Sequence, residues 1–167
     1  DALNTPFILD MMLAVNPDVK TVGLLFSNSE DNSTTAIAEA KAYLDSKGIS
    51  YLEKTGNTTD EIVAAAASLV GRVDAVFTPT DNTIMTAELS IYETFTEAGV
   101  QHYTGADSFA LNGAFVGYGV DYVQLGEATA DMVEQLLCQG KTTADLPYQT
   151  FDNGTATINT EICEKLG

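Results

Sequence analysis

Basic residues are scarce in this chain. Its 167 residues include 7 Lys and Arg against 24 Asp and Glu, which gives a formal net charge of −17. A surface this acidic repels phosphate groups, so it argues against nucleic acid and anionic membranes as partners. No apolar run approaches the ~20 residues needed to span a bilayer, and the N-terminus has neither the basic segment nor the apolar core of a signal peptide. The chain begins at Asp1 instead of Met, from which we expect that processing or truncation has removed something upstream.

Enzyme signatures are also missing. The sequence has no GxSxG, Walker A or HExxH motif, and no GxGxxG follows its first predicted strand. The one histidine, His102, is expected before a strand, at the wrong edge of a sheet for a catalytic base, so a structural or surface role fits it better. Asp81 and Asp107 could form a hydrolytic pair or ligate a metal, but their spacing demands neither. The two cysteines, Cys138 and Cys163, either pair or stay free, and they do not resemble a metal site. We therefore predict a protein that is not an enzyme and holds no metal or cofactor.

One unit recurs along the chain: an apolar run, then a polar or glycine-rich loop, then a helix of amphipathic spacing. That alternation predicts βαβ units and a parallel sheet. With 45% hydrophobic residues, the chain can bury one full core. We predict an α/β fold: a three-layer, doubly wound parallel sheet of about five strands in the order 2-1-3-4-5, Rossmann-like or flavodoxin-like. The predicted strands cover residues 21–26, 50–54, 74–78, 100–104 and 114–120.

Capping residues place the helices between these strands. Thr5-Pro6 opens the first helix, and Ser33 is predicted to cap the second. Thr58 and Glu61 form a capping-box pattern at the start of the third. A last long helix is expected over residues 122–139.

The end of the chain differs in character. Residues 141–167 predict a small C-terminal β-ribbon followed by a short helix. The two extended pieces, 147–151 and 155–158, would be joined by an Asn153-Gly154 turn.

The most informative segment is 21–33, TVGLLFSNSEDNS, in which a buried strand runs directly into a polar loop. Ligands of open α/β sheets bind at the carboxyl edge of the strands, and similar loops follow the third and fourth predicted strands. Hydroxyls, carboxamides and carboxylates at helix N-termini suit a zwitterion or a polyol. For Ser33 and Asn82 plain N-capping is an equal explanation, for Glu30 surface solvation, and for Tyr118 core packing. The candidate ligand-binding residues are Ser27, Ser29, Glu30, Asn32, Ser33, Asp81, Asn82, Thr83, Asp107, Ser108 and Tyr118.

Four segments, taken in order, also carry a family resemblance. They are TVGLLFSNSEDNS, DAVFTPTDNTIMTA, the long stretch 103–149 and the final INTEICEKLG. The most specific pieces are the Glu30 to Ser33 region, the Asp81-Asn82 pair and the stretch 113–126. Together they resemble the solute-binding proteins of ABC transporters, in the branch that includes tryptophan- and tyrosine-binding members. The resemblance covers nearly the whole chain.

The resemblance implies a domain organisation and a function. Proteins of this type hold a ligand between two Rossmann-like lobes, and this chain looks like a fragment containing the second. Residues 1–140 would form that lobe, with 121–140 a helix that crosses to the first lobe, and 141–167 would form a hinge and tail. The implied role is the extracytoplasmic solute-binding component of an ABC importer, with a permease as partner. Its ligand would be amino-acid-like, with aromatic amino acids as candidates, and Asp81 or Asp107 would face the ligand ammonium.

Two alternatives stay open. Without a first lobe, the helix 121–140 either folds back on its own sheet, which we favour, or pairs with a second copy as a domain-swapped or cleft-face homodimer. A flavodoxin-like or receiver-like regulatory domain is the competing function. Glu30, Asp31 and Asp81 imitate the acidic residues of a receiver, but glycines and a tyrosine at 117–119 stand where a receiver has lysine.

Overall fold

The computed structural model describes residues 3–150 and 154–167. Its strands are β1 (Thr21–Phe26), β2 (Ser50–Thr55), β3 (Ala75–Thr78), β4 (Gln101–Thr104), β5 (Val116–Val120) and β6 (Gly154–Ile158). They form one sheet in the order β2-β1-β3-β4-β5-β6, in which β1 to β5 run parallel and β6 is antiparallel to β5. The predicted parallel order 2-1-3-4-5 is confirmed, and β6 adds an antiparallel edge.

Helices cover both faces of this sheet. They are α1 (Thr5–Val15), α2 (Asp31–Lys47), α3 (Thr59–Leu69), α4 (Asn82–Glu97), α5 (Asp107–Leu111), α6 (Tyr122–Leu137) and α7 (Thr160–Leu166). Because side chains alternate across a strand, Leu24 joins one buried cluster, with α1 and α2, while Leu25 joins another, with α3, α4 and α5. Phe77 and Val76 of β3 divide in the same way. The three-layer, doubly wound architecture is therefore confirmed.

Most of the helix signals act as the sequence predicts. Pro6 lies in the first turn of α1 as predicted, but the cap is Asn4 instead of Thr5, and its side chain accepts the backbone N–H of Phe7 at 3.2 Å. At α3, Thr58 Oγ1 accepts the backbone N–H of Glu61 at 3.3 Å, and the Glu61 carboxylate accepts the N–H of the residue before Thr58 at 2.8 Å. At the second helix the prediction is wrong. Helix α2 begins at Asp31, so Ser33 lies buried inside its first turn instead of capping it.

The tail departs from the predicted β-ribbon. Residues 147–150 form no strand, and the turn at residue 153 and the end of the first extended piece lie outside the described residues. The second piece is β6, which pairs with the main sheet from Val116–Ile158 to Val120–Gly154. Strand β5 pairs with β4 on one side, and β6 pairs with its other side. The chain then ends in α7, as predicted, with Ile162 buried.

Helix α6 does not fold back on the sheet, and the favoured prediction for it is wrong. None of its residues is buried, and Val123, Val133 and Leu137 are 71%, 46% and 80% exposed. Full burial of such a side chain stabilises a protein by about 1.5–3 kcal/mol, and the exposed side chains of α6 do not contribute that stabilisation. Among the described residues, no helix combines the length and the apolar character needed to cross a membrane.

Candidate functional site

Three loops meet at the carboxyl edge of the sheet, and two of them are polar. Since β1, β3 and β4 are parallel, the loops that follow them, 27–30, 79–81 and 105–106, lie at the same edge, and each leads into a helix. Six predicted residues come together where the first two of these loops meet. They are Ser27, Glu30, Ser33, Asp81, Asn82 and Thr83.

Asp81 is the buried centre of this contact. Its side chain is 1% exposed, and Oδ1 accepts the N–H of Ile84 at 3.0 Å, which caps α4. Oδ2 accepts the N–H of Ser27 at 2.7 Å and the hydroxyl of Ser33 at 2.7 Å. Both carboxylate oxygens are therefore engaged inside the protein. A ligand ammonium would have to displace these bonds to reach Asp81.

Glu30 completes the contact from the other loop. Its Oε1 accepts the N–H and the hydroxyl of Thr83 at 3.1 and 3.2 Å, and its Oε2 accepts the amide of Asn82 at 3.2 Å. A carboxylate at the first turn of α4 is favoured both by the unpaired N–H groups and by the helix dipole. Glu30 is therefore not simply a solvated surface residue, because its carboxylate binds the start of α4.

The neighbouring polar groups are tied in as well. The hydroxyl of Ser27 lies 2.6 Å from that of Ser29 and donates to Asn57 Oδ1 at 3.0 Å. Asn57 follows β2, and sequence reasoning missed it because it stands out only as part of a glycosylation-type sequence. Asn32 donates to the carbonyl of Thr80 at 2.7 Å. Thr80 in turn donates to the carbonyl of Gly105 at 2.8 Å.

Gly105 has a steric reason to be glycine. A Cβ at this position would lie 2.6 Å from the backbone nitrogen of Thr80, which no side chain tolerates. The absence of a Cβ thus lets the loops after β3 and β4 touch. A glycine directly after a strand is the signal by which sequence reasoning could have found this contact.

Asp107 and Ser108 lie apart from the network around Asp81. Asp107 is exposed in the first turn of α5, where Oδ1 accepts the N–H of Ser108 at 2.8 Å. It borders a cavity of about 260 Å³ together with Asp121, which precedes α6, and Thr155 and Thr157 of β6. Asp121 was not among the predicted site residues. The resemblance did single out Asp121 and Tyr122 within the stretch 113–126, without giving either a binding role.

Tyr118 does not belong to this edge. It lies within β5, is 7% exposed, and packs its ring 4.7 Å from that of Phe7 on α1. The structure thus gives Tyr118 a packing role, which the sequence left as an equal alternative. It also borders a largely apolar cavity of about 680 Å³ beside α1 and α2.

The single histidine is buried within the fold. His102 lies inside β4, not before it, and is 2% exposed. Its Nδ1 lies 3.1 Å from Glu88 Oε1 on α4, and its Nε2 lies 2.8 Å from the hydroxyl of Thr78 on β3. The ring makes edge contacts with Phe95. This is a structural role, and it joins α4 to the sheet.

The remaining candidates for metal or redox chemistry are simple to place. Within residues 3–150 and 154–167, no three His, Cys, Asp or Glu side chains are grouped to hold a metal ion. Cys138 and Cys163 are both exposed free thiols. The polar edge therefore offers mainly amides, hydroxyls and the carboxylate of Asp107 to a bound molecule.

Together these features define a class: a doubly wound α/β domain with a hydrogen-bonded polar edge at the carboxyl ends of its strands. The family model for "ABC transporter substrate binding protein" matches residues 8–167. The chain belongs to that family. The match does not favour the receiver-like or flavodoxin-like alternative.

Individual relatives agree with this assignment. The chain is 26% identical, over 99% of its length, to a tyrosine-binding protein of Clostridioides difficile. It is 31% identical to the ABC domain solved in complex with L-Trp from Streptococcus pneumonia, with a TM-score of 0.85 over 97% of this chain. It is 28% identical to the ligand-free, open structure of a substrate-binding protein with adhesive properties from Clostridium difficile, with a TM-score of 0.79 over 95% of this chain. Two of these names describe binding proteins, and the third describes a complex with L-Trp.

The chain spans about half the length of these relatives. It covers 48% of the tyrosine-binding protein, 55% of the L-Trp complex and 53% of the open structure.

Proposed function

We propose that this chain is the second lobe of a two-lobe solute receptor, which delivers an amino-acid-like ligand to an ABC permease. One observation carries the proposal: the hydrogen-bonded polar edge belongs to a domain that matches about half of an L-Trp complex at 31% identity. Aromatic amino acids are the ligands proposed for it. The proposed protein is not an enzyme and works outside the cytoplasm.

The ligand contacts are proposed from which polar groups the fold leaves accessible. Ser29, Asn32 and Asn82 are exposed at the edge and supply hydrogen bonds to the ligand carboxylate. Asp107 is the better partner for the ligand ammonium, because its carboxylate is exposed while that of Asp81 is buried and already accepts three hydrogen bonds. Four other predicted residues support the polar edge through their hydrogen bonds inside the protein: Ser27, Glu30, Ser33 and Thr83. Ser108 flanks Asp107.

The exposed face of α6 supports the proposed domain organisation. Residues 1–140 form the lobe, residues 121–140 carry the helix that crosses to the first lobe, and residues 141–167 form the hinge and tail. A helix with Val123 and Leu137 largely exposed requires an apolar partner, and the first lobe supplies one.

Titration calorimetry of the two-lobe protein with tryptophan, tyrosine and phenylalanine tests the ligand. We expect binding of at least one of them, and an Asp107→Asn variant with a dissociation constant raised at least about tenfold through loss of a charge-assisted hydrogen bond. Asp18→Asn is the matched control, since Asp18 lies between α1 and β1 at the opposite edge. No heat with any of the three amino acids rejects the aromatic ligand, and a normal Asp107→Asn affinity rejects the ammonium assignment.

For the chain alone, we propose that α6 is covered by a second copy, in a domain-swapped or cleft-face homodimer. Light scattering of the chain after size-exclusion chromatography tests this, with a mass above 17.7 kDa that rises with concentration as the expected result. A monomer at all concentrations rejects the homodimer and leaves the lobe assignment standing.

A further inference from the structure

Two carboxylates at the polar edge serve each other's helices. Glu30 directly precedes α2, yet its side chain makes no cap bond to α2 and instead accepts three hydrogen bonds from the first turn of α4. Asp81 directly precedes α4 and caps it, yet its second oxygen reaches back to Ser27, before α2, and to Ser33, in the first turn of α2. Each helix start is therefore held by the residue that precedes the other.

The arrangement clamps the loop after β1 at both ends. Ser27, its first residue, is bound by Asp81, and Glu30, its last residue, is bound to Thr83. Only Asn28 and Ser29 lie between these two anchor points, and both are exposed. A four-residue loop held at both ends by one helix start has little freedom to move independently of that helix.

We propose that Glu30 and Asp81 are positioning residues that join the β1 and β3 loops into one rigid unit. Neither carboxylate contacts the ligand, and their effect is to hold Ser29 and Asn82 in the geometry that the ligand meets. This inference rests on the proposed function, because it assumes that the ligand binds at this edge. Affinity gained in this way comes from preorganisation, since loops that are already ordered lose less freedom on binding.

Amide hydrogen exchange of the chain, followed by NMR, tests the coupling without a ligand. Glu30→Ala removes the contacts to α4 and touches no atom of the Ser27 amide bond. We expect about tenfold faster exchange at Thr83 and also at the remote Ser27 N–H, while Leu24 in the buried part of β1 reports any change in global stability. Asp31→Ala is the matched control. It removes a carboxylate from the next position, one that makes none of these contacts, and should leave both amides unchanged.

The pattern of exchange decides between a joined unit and separate contacts. Faster exchange at Thr83 with unchanged exchange at Ser27 overturns the proposal, because the two contacts then open independently. Glu30→Gln gives a second check, since its amide oxygen still accepts from Thr83 and should leave Ser27 closer to the original protein. A Glu30→Gln chain that exchanges as fast as Glu30→Ala at Ser27 contradicts the hydrogen-bond mechanism.

Ligand affinity in the two-lobe protein then tests the positioning role. Glu30→Ala should raise the dissociation constant about tenfold, whereas Asp31→Ala should not change it. If the two loops are coupled in exchange but Glu30→Ala binds normally, the positioning role is wrong. If the unmodified protein binds no ligand, the proposed function fails, and the exchange result still decides whether the loops are joined.

Discussion

Helices α4 and α6 have the same length and the same kind of start, but opposite surroundings. Each spans 16 residues and follows an aspartate whose side chain accepts a backbone N–H of the first turn. Five residues of α4 are buried, whereas α6 has none. The two helices therefore share a local start signal, and a packing partner is what distinguishes the core helix from the exposed one.

The two capping aspartates show the same contrast at the scale of single atoms. Asp121 accepts from Val123 and Gln124, all within three residues. Asp81 caps in the same way but also binds Ser27 and Ser33, which lie 54 and 48 residues earlier. Asp121 only caps the start of its own helix, whereas Asp81 also connects two βα units.

The largest difference should appear when each aspartate is replaced by alanine. Asp81→Ala loses a cap and leaves two buried donors, on Ser27 and Ser33, without acceptors, so we expect a loss of about 3–5 kcal/mol in the free energy of unfolding. Asp121→Ala should cost about 1 kcal/mol, the usual value of an exposed cap. Urea denaturation of the two variants measures both. Equal losses would contradict the difference between the two sites.

Core truncation should separate the two helices almost as clearly. Ile91 of α4 is 0% exposed, and Ile91→Ala should cost about 3 kcal/mol through lost burial and the cavity left behind. Leu137 of α6 is 80% exposed, and Leu137→Ala should stay within about 0.5 kcal/mol in the chain alone at concentrations low enough to keep it monomeric. Denaturant unfolding measures both, and a Leu137→Ala loss above about 1 kcal/mol would show that α6 is packed in solution. In the two-lobe protein, the same substitution should cost more if the first lobe covers this face.

A smaller, pH-dependent effect on stability should arise where α1 and α2 pack together, whereas α6 has no buried residue. Partial burial of Tyr43 on α2, together with its hydrogen bond to Asp10 on α1, raises the pKa of Tyr43 from 10.0 to about 12. Because the folded pKa is the higher one, the resulting stability is complete below pH 10 and is lost as the pH rises through about 12. Because solvent screens this partly exposed site, we expect about 1 kcal/mol.

Chemical denaturation at a series of pH values, for the original chain and Tyr43→Phe, isolates this effect. The stability difference between the two should shrink as the pH rises from 10 to 12. Tyr148→Phe is the control, because that ring is 88% exposed. A difference that stays constant over this range would mean that Tyr43 does not couple α2 to α1 through its proton.

The sequence predicts the fold more completely than the site. Strand order follows from the unbroken apolar run of β1 and the alternation of strands and helices, which admit few right-handed arrangements. The pairing of the tail was not predicted, because the sequence of a short strand such as Gly154–Ile158 does not indicate which strand it pairs with. It pairs with β5, which is more than thirty residues away, and not with a neighbouring hairpin strand.

At the site, sequence position identified the right loops but not the role of each residue. Glu30 and Asp81 were predicted because they follow strands, yet their hydrogen bonds join two distant segments and leave neither oxygen pair for a ligand. Tyr118 was a candidate for ligand binding or for core packing, and it packs against Phe7. Such roles depend on which atoms face inward, and that is decided by packing between elements, not by composition.

The smallest effect is also the sharpest test of what covers α6. Gly126 lies inside this helix, and a Cβ there would meet nothing within 4 Å. Gly126→Ala should therefore stabilise the chain by about 0.5–1 kcal/mol, because alanine loses less backbone freedom in a helix. Thermal unfolding measures the gain, and a destabilised Gly126→Ala chain would show that this surface is already packed. In the two-lobe protein the gain should persist if this side of α6 faces solvent. It should reverse if the first lobe packs against Gly126, so one methyl group reports which side of the helix the proposed first lobe covers.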